Sequence, residues 1–149
     1  MAILQNPPLR PLDESDPDDY RPRSAWTGPL VDPVSEHEYV RDLSVILEEI
    51  APGYRIPLHR HQVDEAIVVV SGEVEVRLGD ETRIVTGRSV VFAPAGVAHG
   101  ARNAGSQPAS YFAFFATTAV DIEYLERNPA PGTEGDPPRP QVVYDARVT

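Results

Sequence analysis

The chain holds four histidines, and three of them stand in two short segments punctuated by glycine and proline. The first segment runs Gly53-Tyr-Arg-Ile-Pro-Leu-His59-Arg-His61-Gln-Val-Asp-Glu65 and continues through an apolar run to Gly72. Residues two apart in a strand share a face, so His59 and His61 can project together, and Glu65 keeps their parity. The second segment is Pro94-Ala-Gly96-Val-Ala-His99-Gly-Ala-Arg-Asn103, where a Pro-x-Gly turn launches a strand whose inward residue is His99. Three imidazoles and one carboxylate converging on a point suit a divalent first-row ion such as Fe, Mn, Ni, Zn or Cu, because neutral imidazole binds borderline ions and the carboxylate supplies negative charge. Three or four protein ligands also leave coordination positions for substrate or water. The competing reading, hydrogen-bonded core histidines, would bury several polar groups of matching parity without partners in a small interior, which is costly.

Other titratable groups read differently. His37 sits in the polar stretch Ser35-Glu36-His37-Glu38, where a solvent-facing side chain is expected. The pairs Glu48-Glu49 and Glu73/Glu75 look like paired catalytic carboxylates, yet they lie on strands whose valine and isoleucine faces claim the interior, so a solvated face is expected of them. Composition narrows the chemistry further. There is no cysteine, which excludes disulfides, thiolate metal sites and cysteine nucleophiles. All 13 basic residues are arginine, which excludes lysine Schiff bases and the phosphate-loop lysine. A formal net charge of −10 with no basic stripe argues against nucleic acid and anionic lipid and for a small-molecule or protein partner. The first residues show no secretion or organelle signal, so a cytoplasmic protein is expected.

The elements that must position these residues are strands. Between residues 43 and 118 the sequence consists of short runs rich in valine and isoleucine, separated by glycine, proline or aspartate. They are read as strands over 43–50, 64–70, 73–78, 81–85, 89–93, 98–103 and 109–117, with Ser71-Gly72 and Gly79-Asp80 as hairpin turns. Val74, Val76 and Leu78 share one face of their strand and Glu73, Glu75 and Arg77 the other. Many short strands without a helical period predict an all-β sandwich or barrel. Residues 1–35, with seven prolines and the acids Asp13, Glu14, Asp16, Asp18 and Asp19, read as an N-terminal arm without regular structure, pinned to the barrel by Trp26. The barrel is expected over 36–125 and a second Pro-rich arm over 126–149, whose short run Val142–Tyr144 could add a strand to a neighbouring sheet edge.

Both histidine segments resemble the signature motifs of the cupin superfamily. The first matches the family pattern at every fixed position. The second departs once, because six residues separate Gly87 from Pro94 where five are usual, which calls the turn near Gly87 into question but not His99. The resemblance covers about residues 40–118. It implies a double-stranded β-helix (jelly-roll) barrel of the RmlC-like type, with a metal held by His59, His61, Glu65 and His99. It also implies framework roles for Gly53, Gly72, Pro94, Gly96 and Asn103, and a homodimer formed by sheet packing or exchange of terminal strands. The fold hosts many activities. The expected function is a metal-dependent enzyme, a dioxygenase or an isomerase, cyclase or lyase, with Glu65 as ligand and general base; the alternative is a non-catalytic metal- or ligand-binding module. Arg60, Arg77 and Arg102 have outward parity, so the pocket is read as apolar, supplied by the Ile67–Val70 run, Phe92, Tyr111, Phe112, Phe114 and Phe115, and suited to an aromatic or polyketide-like substrate.

Overall fold

The computed structural model of the chain describes residues 3–12, 16–31 and 42–147. Among the described residues every regular element is a strand: β1 (Arg10–Leu12), β2 (Arg21–Trp26), β3 (Ser44–Ile50), β4 (Arg55–Arg60), β5 (Glu65–Ser71), β6 (Glu73–Leu78), β7 (Glu81–Thr86), β8 (Ser89–Ala93), β9 (His99–Asn103), β10 (Ala109–Phe115), β11 (Ala119–Tyr124) and β12 (Val142–Asp145). They form two six-stranded sheets, ordered β1-β2-β3-β10-β5-β8 and β12-β11-β4-β9-β6-β7. From β3 to β11 the chain passes from one sheet to the other at every connection except the β6–β7 hairpin, which is the winding of a double-stranded β-helix. The fold expectation holds.

Alternation sets the core. Val74 and Val76 of β6 are 2% and 8% exposed, and they meet Val69, Val91 and Ala109 from the facing sheet. Toward the other end Ile46, Ile50, Tyr111, Ala113, Phe115 and Val120 form a second cluster, with Ile67 and Ala101 packed against both. Each fully buried aliphatic side chain contributes about 1.5–3 kcal/mol. Gly79-Asp80 closes the β6–β7 hairpin, with Leu78 opposite Glu81.

Several expectations need correction. Ser71-Gly72 is a corner and not a hairpin, since β5 and β6 lie in different sheets. Gly72 has φ +90°, and a Cβ there would stand 2.6 Å from the Ala109 Cα, so only glycine fits. The N-terminal segment is not free of regular structure, because β1 and β2 extend the sheet beyond β3. Proline is tolerated there because β1 is an edge strand, and Pro22 falls in the irregularity between the Pro11–Ala25 and Leu12–Arg21 pairs. β4 and β11 were not among the strands expected. The Val142–Tyr144 run does add a strand to an edge, but the edge is β11 of its own chain, with Val120 opposite Tyr144. The additional residue before Pro94 leaves β8 in regular register with β5 and is taken up at the turn, where Arg88 has φ +72°. Phe92 points outward and is 68% exposed, and Phe112 and Phe114 share the outer face, whereas Tyr111 and Phe115 are buried. A strand apolar on both faces carries no alternation from which to tell them apart. Trp26 does fasten the N-terminal segment, packing on the core and meeting Tyr144 edge-on at 5.3 Å. His37, Asp13 and Glu14 lie outside the described residues.

Candidate metal centre

β4 carries His59 inward, and His61 follows immediately after the strand ends. Glu65 opens β5 and His99 opens β9. The two histidine segments are joined through backbone: the Gly96 N–H donates to the His61 carbonyl at 2.8 Å, and the Ala95 N–H to the Asp64 carboxylate at 2.9 Å. Gly96, at φ +80°, gives the turn its shape. Asn103 acts as framework, its buried amide donating to the carbonyls of Ile50 and Gln107 and accepting from the Gly105 N–H.

These connections bring His59, His61, Glu65 and His99 together, all buried, with one potential ligand atom of each within 4.8 Å of the others. Ring centroids are 4.4 Å apart for His59 and His99 and 4.9 Å for His59 and His61. Each imidazole Nδ1 meets a backbone carbonyl: His59 that of Pro57 at 2.7 Å, His99 that of Val97 at 2.9 Å, and His61 that of Asp121. A carbonyl can only accept, so Nδ1 carries the proton and the neutral ring presents the Nε2 lone pair to the centre. His61 Nε2 is buried without a hydrogen-bond partner, although the Glu65 carboxylate is 3.3 Å away. The Glu65 carboxylate also lies 2.7 Å from His99 Nε2. An orphaned imidazole nitrogen beside a carboxylate, in a set of borderline donors, fits a divalent cation.

The electrostatics of His59 and Glu65 agree with that fit. Burial, then the neighbouring His99 and His61, push the His59 imidazole down to about 3, so it stays neutral. Burial alone would raise Glu65, but the adjacent His61 and His99 rings, 3.3 and 2.7 Å away, outweigh it and hold the carboxyl well below the usual range. Burial would lower His61, and the adjacent carboxylate more than offsets this.

The cavity above the cluster is lined by Ile46, Ile56, Ile67, Val69, Phe115 and Ile122, so an apolar wall is present as expected. It is not wholly apolar. Glu48, expected in solvent, points inward at 4% exposure and pairs with Arg21, itself 2% exposed. The adjacent Glu49, of opposite parity, is exposed as expected. Asp19 binds the Arg21 Nε and Nη2 at 2.7 Å each, and the Tyr111 hydroxyl donates to Glu48 at 2.5 Å. Arg60, Arg77 and Arg102 do face outward, toward Glu123, Glu126 and Glu75. Asp121 is another residue the sequence did not single out: besides its carbonyl on His61, its carboxylate accepts the Gln62 N–H at 3.0 Å.

The family profile described as Cupin domain matches residues 46–115. A solved Klebsiella pneumoniae protein with a double-stranded β-helix domain aligns at 26% identity and TM-score 0.54, over 58% of this chain and 77% of that one. The chain belongs to the cupin superfamily. Among curated proteins this cupin is 38% identical over 95 residues to an H2HPP isomerase of Bacillus subtilis, a match over 62% of this chain that spans only 37% of the isomerase. The fold likeness extends to oxalate decarboxylase of Lactobacillus farciminis, with TM-score 0.63 at 20% identity over 78% of this cupin and 33% of that chain.

Proposed function

We propose that this cupin is a metal-dependent enzyme acting on a small oxygenated substrate with an apolar, aromatic or polyketide-like body, and that its reaction is an isomerase-type proton transfer. The observation that carries this is the inward presentation of three Nε2 lone pairs beside Glu65 in a cavity with apolar walls. His59, His61, Glu65 and His99 would hold the ion, and bound there it would supply Lewis acidity to a substrate carbonyl and so acidify the neighbouring C–H. The chain's own share is orientation and proton handling. The carbonyls of Pro57, Asp121 and Val97 fix the rings, the aliphatic wall excludes water, and the Glu65 carboxylate, ionised in its surroundings, accepts the substrate proton. The likeness to an H2HPP isomerase supports isomerisation over oxygenation. We further assign a homodimer, formed through the outer face of the β3-β10-β5-β8 sheet.

The test is elemental analysis of the purified protein, followed by incubation with a panel of 2-oxo acids and β-diketones in D2O, aerobically and anaerobically. Deuterium should enter at the carbon next to the carbonyl, cease on chelation and return with added metal, regardless of oxygen. Turnover that needs oxygen identifies a dioxygenase. No exchange at full metal occupancy identifies a binding module.

A further inference from the structure

The cavity has a second polar end. Inward positions run Glu65, Ile67 and Val69 along β5, Phe115, Ala113 and Tyr111 along β10, and Ile46 and Glu48 along β3. Phe115 pairs with Glu65, and Tyr111 pairs with both Val69 and Glu48. Four residues of strand, about 13 Å, therefore separate the Glu65 rung from the Tyr111–Glu48 rung, with aliphatic side chains between them. Tyr111, Glu48, Arg21 and Asp19 line the same cavity as the histidines.

The composition of this end selects what it can receive. Both Asp19 oxygens occupy one edge of the Arg21 guanidinium and Glu48 takes a third N–H, so three of its five donors are already answered by carboxylates. Two carboxyl groups face one cation, and a substrate carboxylate or phosphate would be repelled. Burial raises the Glu48 carboxyl in spite of the pull of Arg21, consistent with a site poor in positive charge. The Tyr111 oxygen and the remaining Glu48 lone pairs suit a neutral group.

We propose that Tyr111 and Glu48, held in place by Arg21 and Asp19, are specificity-determining residues that accept a hydrogen bond from a neutral hydroxyl at the far end of the substrate. The substrate class is then a two-ended molecule: a chelating oxygen pair at the histidines, an apolar body, and an uncharged hydroxyl at Tyr111. This rests on the metal-dependent reading above.

The full chain loaded with Zn2+ is titrated with three probes that share one chelating end: 4-hydroxyphenylacetohydroxamate, its parent without the hydroxyl, and its 4-carboxy analogue. The hydroxyl probe should bind roughly tenfold more tightly than the parent, the worth of about one buried hydrogen bond, and the carboxy probe most weakly. Tyr111→Phe should bring the hydroxyl probe down to the parent and leave the affinities for the parent and for Zn2+ unchanged. Equal affinities for all three probes in the wild type would overturn the proposal, as would Zn2+-loaded protein that binds none. Uniform weakening of all three by Tyr111→Phe would assign the cluster a purely structural role. The wild-type series stands even if that variant fails to fold. Failure of Zn2+ itself to bind removes the metal reading, and this proposal with it.

Discussion

At the histidine cluster, each ring is held through Nδ1 by a backbone carbonyl, so a substitution removes a donor without releasing the others. Alanine at His59, His61 or His99 should strip the metal while the melting transition of the metal-free protein stays cooperative; full occupancy in a His99→Ala variant, by elemental analysis, would sink the assignment. Glu65→Gln separates two roles. A ligand alone should regain activity at saturating metal, whereas a base should keep its metal and lose turnover by about a hundredfold or more, because an amide accepts no proton at neutral pH. We expect the second outcome, read as deuterium exchange at saturating metal. These residues were legible because their close spacing bears a local signature, although His61 falls in the link between β4 and β5 and the shared strand parity with Glu65 does not exist. Arg21, Glu48 and Tyr111 bear none. Their contacts join residues 27 and 63 positions apart, and a glutamate beside a glutamate reads as surface until the register of β3 is known.

The terminal elements close the barrel through charge. Asp18, fully buried, receives Arg127 and Arg139, and Asp16 receives the hydroxyls of Tyr124 and Tyr144 together with Arg139. Aspartates that read as a solvated arm are therefore the tether between both ends of the chain. The signal was ambiguous because an acidic, proline-rich run looks the same whether water or arginine answers it. Burial alone would raise the Asp18 carboxyl, but hydrogen bonds from Arg139 and Arg127 outweigh it and leave it lowered. A carboxylate lowered on folding stabilises fully above its unfolded value near pH 4, and that stability is lost as pH falls through the folded value. Hydrogen exchange should show β12 and residues 16–21 loosening in acid before the central strands, and Asp18→Asn should abolish that pH dependence; equal acid sensitivity in the variant would remove Asp18 as its source. Arg21→Ala should cost more, about 3–5 kcal/mol by denaturant titration, since it leaves Asp19 and Glu48 buried without their cation.

At the scale of the whole molecule, the β3-β10-β5-β8 sheet carries apolar rungs on its outer face as well as its inner one. Its outer rungs run Val45–Phe114–Ala66–Phe92 and Leu47–Phe112–Val68–Val90, paired strand to strand and without a charge. A sheet that faced water on one side would alternate with polar residues, as β6 does with Glu73, Glu75 and Arg77. Here Phe92, Val90 and Val70 are 68%, 52% and 47% exposed on neighbouring strands. Such a patch marks an interaction surface. A second copy is the occupant this geometry suits, because the two uncharged rungs can pack on their own image about a twofold axis with no charge meeting its like. Val142–Tyr144 pairs with β11 of its own chain, on the other sheet. Light scattering should give twice the chain mass. Phe92→Asp with Val90→Asp, placing charges on the exposed β8 side of the face, should give a monomer that still holds its metal, because both side chains point away from the cavity. A dimer unaffected by these charges would place the interface elsewhere, and a wild-type monomer would remove the dimer altogether.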